Sequence, residues 1–180
     1  MGIVEKLKKE FDFEEEWISY ELHPDTPEAG VAITERFPDL NLAKFRAGLN
    51  SKSEQYGLRF GNFSHISNSR IALQVGELAR ELGVYNTYHD KIFEAYFVDA
   101  LDIGSKDVVL SVAGKSGIER HLVNGALESG RFLEKLEQAR KEGSELGVTA
   151  VPTFIIDGKI KLVGALPYGR FRKALLEQPE

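Results

Sequence analysis

The sequence predicts an α/β fold in which a long helical insertion interrupts a small mixed sheet. Three observations lead to this prediction. Residues 16–22 alternate as a half-buried strand does, residues from about 42 to 147 have helical periodicity, and a hairpin pattern occupies 153–163. A helix is also predicted before the first strand and after the hairpin. The predicted order is therefore helix, strand, helical block, hairpin and helix.

The composition is that of one globular domain of ordinary size. The chain has 180 residues, of which 42% are hydrophobic and 28% charged. Its net charge of -5 argues against a nucleic-acid-binding protein, which needs a basic face. It contains no cysteine, so it offers no disulfide, zinc–thiolate site or thiol nucleophile.

Membrane insertion and secretion are not expected. No apolar run approaches the roughly 20 residues of a membrane helix, and the charged stretch 1–11 lacks the apolar segment of a signal peptide. We therefore expect a cytoplasmic protein.

The N-terminal segments are assigned from their periodicity. Val4, Leu7 and Phe11 have helical spacing and predict a helix over 2–11. In the strand predicted over 16–22, Trp17, Ser19 and Glu21 share one face, and Ile18, Tyr20 and Leu22 share the other. Residues 28–41 remain ambiguous, and Pro38 breaks any long helix there.

The helical block carries stop and start signals, and no strand pattern interrupts it. An apolar stripe ends at Gly83, which is a plausible residue for a helix C-terminus. Thr87 and Asp90 resemble a capping box, and Ser105 is a candidate cap for the next helix. A further helix is expected to begin at Gly117 or Ile118. The apolar positions are Ile71, Val75, Leu78 and Leu82, then Tyr88, Ile92 and Tyr96, and finally Phe132, Leu136 and Ala139 in a helix that stops near Gly147.

The C-terminal pattern predicts a hairpin and a closing helix. Asp157-Gly158 separates two apolar runs, and this pair favours a type I′ turn because both central residues need positive φ. Pro167 is well placed at a helix start, and Tyr168, Phe171 and Leu175 give that helix an apolar side.

The run 145–159, with Val151-Pro152-Thr153-Phe154 at its centre, resembles the cis-proline element of the DsbA-like branch of thioredoxin folds, in its FrnE-type form. Segments 21–25, 56–60, 93–97 and 163–168 are also similar to that family. The resemblance implies a thioredoxin-like fold with a helical insertion. It implies a single domain over 1–180, with thioredoxin-like parts 1–27 and 148–180 and an insertion over about 42–147.

This sequence departs from the family pattern at its start. The family's first strand and its Cys-x-x-Cys loop are absent from these 180 residues, which begin within the helix that follows them. That strand normally lies between the second strand and the hairpin. We therefore expect Trp17–Leu22 to pair directly with Thr153–Ile156, or a second chain to donate a strand and form a homodimer.

The resemblance implies a substrate-facing loop formed by Val151, Pro152 and Thr153. Val151 would then offer strand-like pairing to an extended peptide or protein thiol. No catalytic residue is expected, because the sequence contains no cysteine. No metal ligand is expected, since the four histidines show no ligand spacing, and no cofactor is expected. The aromatic residues Tyr56, Phe60, Phe63, Tyr96 and Phe97 either line a substrate cleft or belong to the core.

Three functions remain open from the sequence. The first is a DsbA/FrnE-type thiol–disulfide oxidoreductase of which this sequence would be a truncated or misassigned-start version, inactive as written because it has no cysteine pair. The second is a non-catalytic protein that binds peptides at the proline loop. The third is a relative of the kappa-class transferases or hydroxychromene-carboxylate isomerases, with glutathione as its partner.

Overall fold

The computed structural model describes residues 3–54 and 57–177. Within it the chain forms two compact units, one of Met1–Ile18 with Lys141–Glu180 and the other of Ser19–Arg140. We call them the terminal unit and the central unit.

The secondary structure is mainly helical. The helices are α1 (Ile3–Leu7), α2 (Ile33–Arg36), α3 (Leu42–Ser53), α4 (Arg70–Glu81), α5 (Tyr85–Phe93), α6 (Lys106–Lys115), α7 (Arg120–Ser129), α8 (Leu133–Glu145) and α9 (Tyr168–Leu176). A π-helical turn, Glu94–Val98, continues α5. The strands are β1 (Val31–Ala32), β2 (His65–Ile66), β3 (Thr153–Ile156) and β4 (Ile160–Val163). No helix in the described ranges is long and apolar enough to cross a membrane.

The core of the central unit confirms the apolar stripes that the sequence predicts. Val75, Leu78, Tyr88 and Val109 are nearly or fully buried in one cluster, built mainly by α4, α5, α6 and α7. These stripes bury one face of each helix, which is the usual source of helix stability in a folded protein. Leu82 is the exception, because it follows the last residue of α4 and remains exposed.

Two predicted helix starts are wrong by a few residues. Helix α5 begins at Tyr85, so Thr87 lies inside it and caps nothing. The turn after α4 is short, with the N–H of Val84 bonded to the carbonyl of Ala79, and the chain re-enters a helix at once. Helix α7 begins at Arg120, after Gly117, which has a φ of +83° and ends the preceding turn. Ser105 occupies the position before α6, as predicted, but its side chain makes no capping hydrogen bond.

The small sheet of β1 and β2 was not predicted. Val31 pairs with Ile66 and Ala32 with His65, so a strand interrupts the block that the sequence indicated as wholly helical. Strands of two residues are too short to show an alternating pattern in the sequence. Helix α2 ends at Arg36, before Pro38, as expected from the missing N–H of proline.

The predicted strand over 16–22 is wrong. No residue of this segment lies in a strand, and among the described residues β3 pairs with β4 alone. The direct pairing of Trp17–Leu22 with Thr153–Ile156 is therefore also wrong, and dimerisation by strand donation stays a prediction. Side-chain bonds hold the segment instead, because Ser19 donates to Glu77 and Glu21 binds Arg70.

The terminal unit contains the predicted hairpin and closing helix. Asp157 has a φ of +47° and Gly158 a φ of +67°, which confirms the turn that Asp-Gly predicts. Helix α9 follows Pro167 and buries Phe171 against Leu7, Phe154 and Leu162, among others. Helix α1 ends at Leu7, short of the predicted residue 11, and in the turn that follows it Lys9 and Glu10 donate to carbonyls three residues back. The predicted start at residue 2 lies outside the described residues.

Candidate functional site

Of the predicted site residues, Val151 and Pro152 lie in the short loop between α8 and β3, and Thr153 is the first residue of β3. After α8 ends at Glu145, Gly147 adopts a φ of +65° and reverses the chain. The N–H of Val148 donates to the carbonyl of Gly143 at 2.8 Å, which closes the helix end. The reversal delivers the chain into the loop that precedes β3.

Lys161 connects β4 to the end of α8. Its Nζ donates to the carbonyl oxygens of Leu146 and Gly147, each at 3.1 Å. A cation at a helix C-terminus is favourable because the last carbonyls lack intrahelical partners and carry partial negative charge. No sequence pattern indicates this contact, because Lys161 is 15 residues from Leu146 and 14 from Gly147.

Hydrogen bonds on both sides fix the backbone of the loop. The carbonyl oxygen of Pro152 accepts from the N–H of Gly164 at 2.7 Å, and the Thr153 hydroxyl donates to the carbonyl of Ala150 at 2.6 Å. The Val151–Pro152 peptide bond is cis. The Val151 side chain is 51% exposed, a large fraction for an apolar residue on a fixed loop.

The register of the hairpin shows which backbone groups face the free edge of β3. Thr153 is opposite Val163 and Phe154 is opposite Leu162. In an antiparallel pair, residues that bond to the partner strand alternate with residues that do not. The bond from Gly164 to Pro152 sets the phase, so residues 152, 154 and 156 bond toward β4. Thr153 and Ile155 therefore direct their N–H and C=O groups to the opposite edge.

Sequence reasoning missed Ile155 as a candidate site residue. It lies on the face of the hairpin away from the apolar cluster, with 37% of its surface exposed, and Val163 beside it is 40% exposed. The Asp-Gly turn signal alone would have put the register off by one, because a two-residue turn pairs Ile156 with Lys159, whereas Ile156 is opposite Ile160 and Lys159 stays in the turn. The prediction stopped at Thr153 because the resemblance pointed only to the proline loop.

A second set of contacts anchors the turn that follows α1 to α9 within the terminal unit. Glu10 accepts hydrogen bonds from the hydroxyl of Tyr168 and from Nε of Arg172, the latter at 2.5 Å. The Tyr168 hydrogen bond first, and Arg172 second, hold the pKa of Glu10 below its ordinary value. The same bond raises the pKa of Tyr168. These contacts lie at the surface and position the helices against which the hairpin packs.

The aromatic candidates form a cluster of their own. Phe63 is buried, and its ring contacts those of Phe60, Tyr96 and Phe97 at centroid distances of 5.7–6.3 Å. The Tyr96 hydroxyl donates to the carbonyl of His65 at 2.7 Å. These contacts favour a packing role for the rings. Tyr56 lies outside the described residues.

The chemistry available at the loop is recognition by backbone and apolar side chains. Val151, Pro152 and Thr153 carry no acid, base or redox group, and the sequence contains no cysteine. The described part of the chain holds no group of three or more His, Cys, Asp or Glu that could bind a metal. The loop therefore offers backbone groups and the exposed Val151 side chain to a partner.

A family model for the DSBA-like thioredoxin domain matches residues 3–176, nearly the whole chain. The chain belongs to this family. It has the DsbA-like thioredoxin fold, with its helical part between α1 and the β3–β4 hairpin, and the family is of the thiol–disulfide oxidoreductase type.

Two individual proteins resemble the chain over most of its length. The crystal structure of a probable DsbA oxidoreductase from Streptomyces coelicolor matches with a TM-score of 0.78 and 20% identity, covering 89% of this chain and 74% of that one. The uncharacterized protein YwbO of Bacillus subtilis is 27% identical over 177 residues, which covers 97% of this chain and 86% of YwbO. The first likeness shows a shared fold.

Proposed function

We propose that this protein is a FrnE-type member of the DsbA-like family whose 180 residues recognise an extended polypeptide and by themselves catalyse no thiol–disulfide exchange. The substrate is a protein or peptide in an unfolded conformation. Recognition takes place at the loop of Val151, Pro152 and Thr153. The observation that carries this proposal is the exposed Val151 side chain on a backbone fixed by hydrogen bonds.

A fixed loop of this kind favours binding because little conformational entropy is lost when a ligand arrives. The bonds of Pro152 to Gly164 and of Thr153 to Ala150 order the loop before any ligand binds. Val151 then offers an apolar surface that is covered when a polypeptide lies across it. The loop presents no charge, so it does not select a charged partner.

The missing redox activity follows from the chemistry of exchange. A thiolate must attack a disulfide sulfur, and a second thiol must leave. The chain has no sulfur nucleophile, since its only sulfur-containing residue is one methionine. Serine and threonine hydroxyls cannot replace the thiol in this redox step.

Binding is tested with a reduced, carboxymethylated and therefore unfolded protein, which carries no free thiol. We expect the chain to bind it and Val151→Asp to weaken binding about tenfold, because a carboxylate would be desolvated at the contact. Leu176→Asp is the matched control. Leu176 is also exposed in the terminal unit, at the end of α9, and its replacement should leave affinity unchanged. Equal loss in both variants would contradict the proposal.

The redox prediction is tested by the reduction of insulin disulfides by dithiothreitol. The chain should not accelerate this reaction above the rate in buffer. Acceleration by the purified 180-residue chain would contradict the proposed absence of exchange activity, whatever the result of the binding experiment.

A further inference from the structure

We infer that a cavity in the central unit binds a short peptide as a zwitterion, with the free carboxylate of the peptide at one end and its free amino group at the other. The cavity lies between α6 and the stretch formed by α5 and its π-helical turn, and its volume is about 340 Å³. Volumes of this order are typical of small-molecule sites. The inference goes beyond the proposed function, because the Val151 loop belongs to the terminal unit.

The wall of the cavity carries charges of both signs. The charged residues that line it are Lys91, Glu94, Asp99, Asp107 and Lys115. Their side chains form no ion pair with any residue in the ranges 3–54 and 57–177. Both lysines and all three carboxylates are therefore available to a ligand.

The two kinds of charge are separated along the cavity. Helices α5 and α6 pack against each other and are joined through the π-helical turn and the short segment 99–105, so they run antiparallel. Lys91 and Lys115 lie far from this connection, whereas Asp99 and Asp107 lie in it or beside it. The cavity thus has a basic end and an acidic end. Asp107 and Lys115 belong to the first and last turns of α6, which corresponds to about 12 Å along the helix axis.

The π-helical turn brings two of the carboxylates to the same wall. Glu94 and Asp99 would point to different sides of a regular α-helix, because one turn of it contains about 3.6 residues. Here the N–H of Asp99 donates to the carbonyl of Glu94 at 3.0 Å, and both residues line the cavity. Ala100 follows with a φ of +56°, which is uncommon for a residue with a Cβ. Such π-turns and backbone outliers are concentrated at functional sites, which favours a binding role for this wall.

The separated charges define the class of ligand. A diacid would meet lysines at one end only, and a polyamine would meet carboxylates at one end only, whereas a zwitterion is matched at both. An extended peptide of three residues spans about 10 Å, close to the separation of the two ends.

The middle of the cavity suits a peptide with small side chains. Ala95, Val108 and Val112 form an apolar floor, on which Ala95 and Val112 are buried. Glu94 and Ser111 line the cavity between its two ends. A carboxylate can accept from a peptide N–H, and a hydroxyl can donate to a peptide carbonyl.

The test uses the full 180-residue chain and L-trialanine, with N-acetyl-trialanine and trialanine amide as analogues that each lack one charge. NMR titration follows the backbone amide signals of Ala95, Ser111 and Val112. We expect trialanine to shift these signals saturably and each analogue to bind about fivefold more weakly, the effect of losing one exposed ion pair. Equal affinity of the three peptides would overturn recognition of the termini, and the absence of a saturable shift would overturn the site.

Two substitutions test the orientation of the peptide. Lys115→Gln should weaken trialanine severalfold and should not weaken trialanine amide, which has no carboxylate to lose a partner. Asp107→Asn should weaken trialanine to a similar extent and should not weaken N-acetyl-trialanine. Lys106→Gln is the matched control, because Lys106 is exposed on α6 and does not line the cavity, so affinity should change less than twofold. An equal loss for trialanine and both analogues in either variant would overturn the orientation.

A further variant separates this inference from the proposed function. Val151→Asp, the variant that tests the loop, should bind trialanine as the wild type does. Trialanine binding that Val151→Asp removes would overturn the cavity by placing the peptide at the loop. If the wild type binds the unfolded protein but not trialanine, the proposed function stands and the inference about the cavity is wrong.

Discussion

At the scale of single residues, Glu77 illustrates how a buried charge is retained in the central unit. Its side chain is only 2% exposed, yet it accepts from the Ser19 hydroxyl at 2.6 Å and contacts Lys135 at 2.5 Å and Arg80 at 3.4 Å. Burial alone would raise the pKa of Glu77, but Lys135, Ser19 and Arg80 outweigh it and the pKa lies below its usual value. The carboxylate is therefore charged at neutral pH.

Replacement of this carboxylate should be costly. We expect Glu77→Gln to lower the free energy of unfolding by about 2 kcal/mol at neutral pH, because it breaks a buried pair and leaves Ser19 and Lys135 poorly matched. Urea denaturation of both proteins measures the difference. Since the folded pKa is depressed, this contribution is present above the unfolded pKa and is lost as pH falls through the folded value. The two proteins should therefore become similar in acid.

Glu81→Gln is the matched control, one helical turn further along α4. Glu81 contacts Arg131 at 2.8 Å, and about half of each side chain is exposed. An exposed pair of this kind contributes about 0–1 kcal/mol. A loss at Glu81 as large as that at Glu77 would contradict the role given to burial.

At the scale of secondary-structure elements, the β3–β4 hairpin depends on its turn. A Cβ added at Gly158 meets no atom within 4 Å, so the only cost of a side chain there is the φ of +67°. We expect Gly158→Ala to destabilise the protein by about 1 kcal/mol, the usual penalty for an L residue in the left-handed region. Thermal or urea unfolding of the purified variant measures this loss.

Gly125→Ala gives the opposite sign and serves as the control. Gly125 lies inside α7, has open space around it and needs no positive φ. Alanine should stabilise this helix by roughly 0.5–1 kcal/mol, since glycine loses more backbone entropy on folding. If both substitutions change the free energy of unfolding in the same direction, the positive φ at Gly158 does not account for the effect of Gly158→Ala.

Elements whose signals are local could be predicted from the sequence, and those that depend on distant partners could not. The Asp-Gly turn, the stripe on α4 and the start of α9 depend on residues within one or two turns of each other. The segment 16–22 has the alternation of a strand, but its conformation depends on Arg70 and Glu77. A strand also needs a neighbour for its backbone, and no periodicity in the segment itself reports whether one exists.

At the scale of the whole molecule, the same distinction applies to the candidate site. The motif at Val151-Pro152-Thr153 identified the loop, because its residues are consecutive. The free edge at Ile155 followed only from the register of the hairpin and the bond between Gly164 and Pro152. The family assignment rests on a match over residues 3–176, and it holds although the sequence contains no cysteine.

The stability of the whole molecule should fall in acid. Hydrogen bonds from Tyr168 and Arg172 lower the pKa of Glu10, a hydrogen bond from Arg36 lowers that of Asp25, and one from Arg140 lowers that of Glu137. Together with Glu77, these groups lie in both units. A carboxyl with a depressed folded pKa stabilises the protein above its unfolded pKa, and the contribution disappears as pH falls through the folded pKa. The unfolded chain therefore binds more protons across the acid range.

We expect the urea midpoint to fall steadily between about pH 5 and pH 3, and added salt to reduce the part due to the exposed pairs. A midpoint that stays constant over this range would show that these contacts do not favour the ionised carboxylates in the folded state.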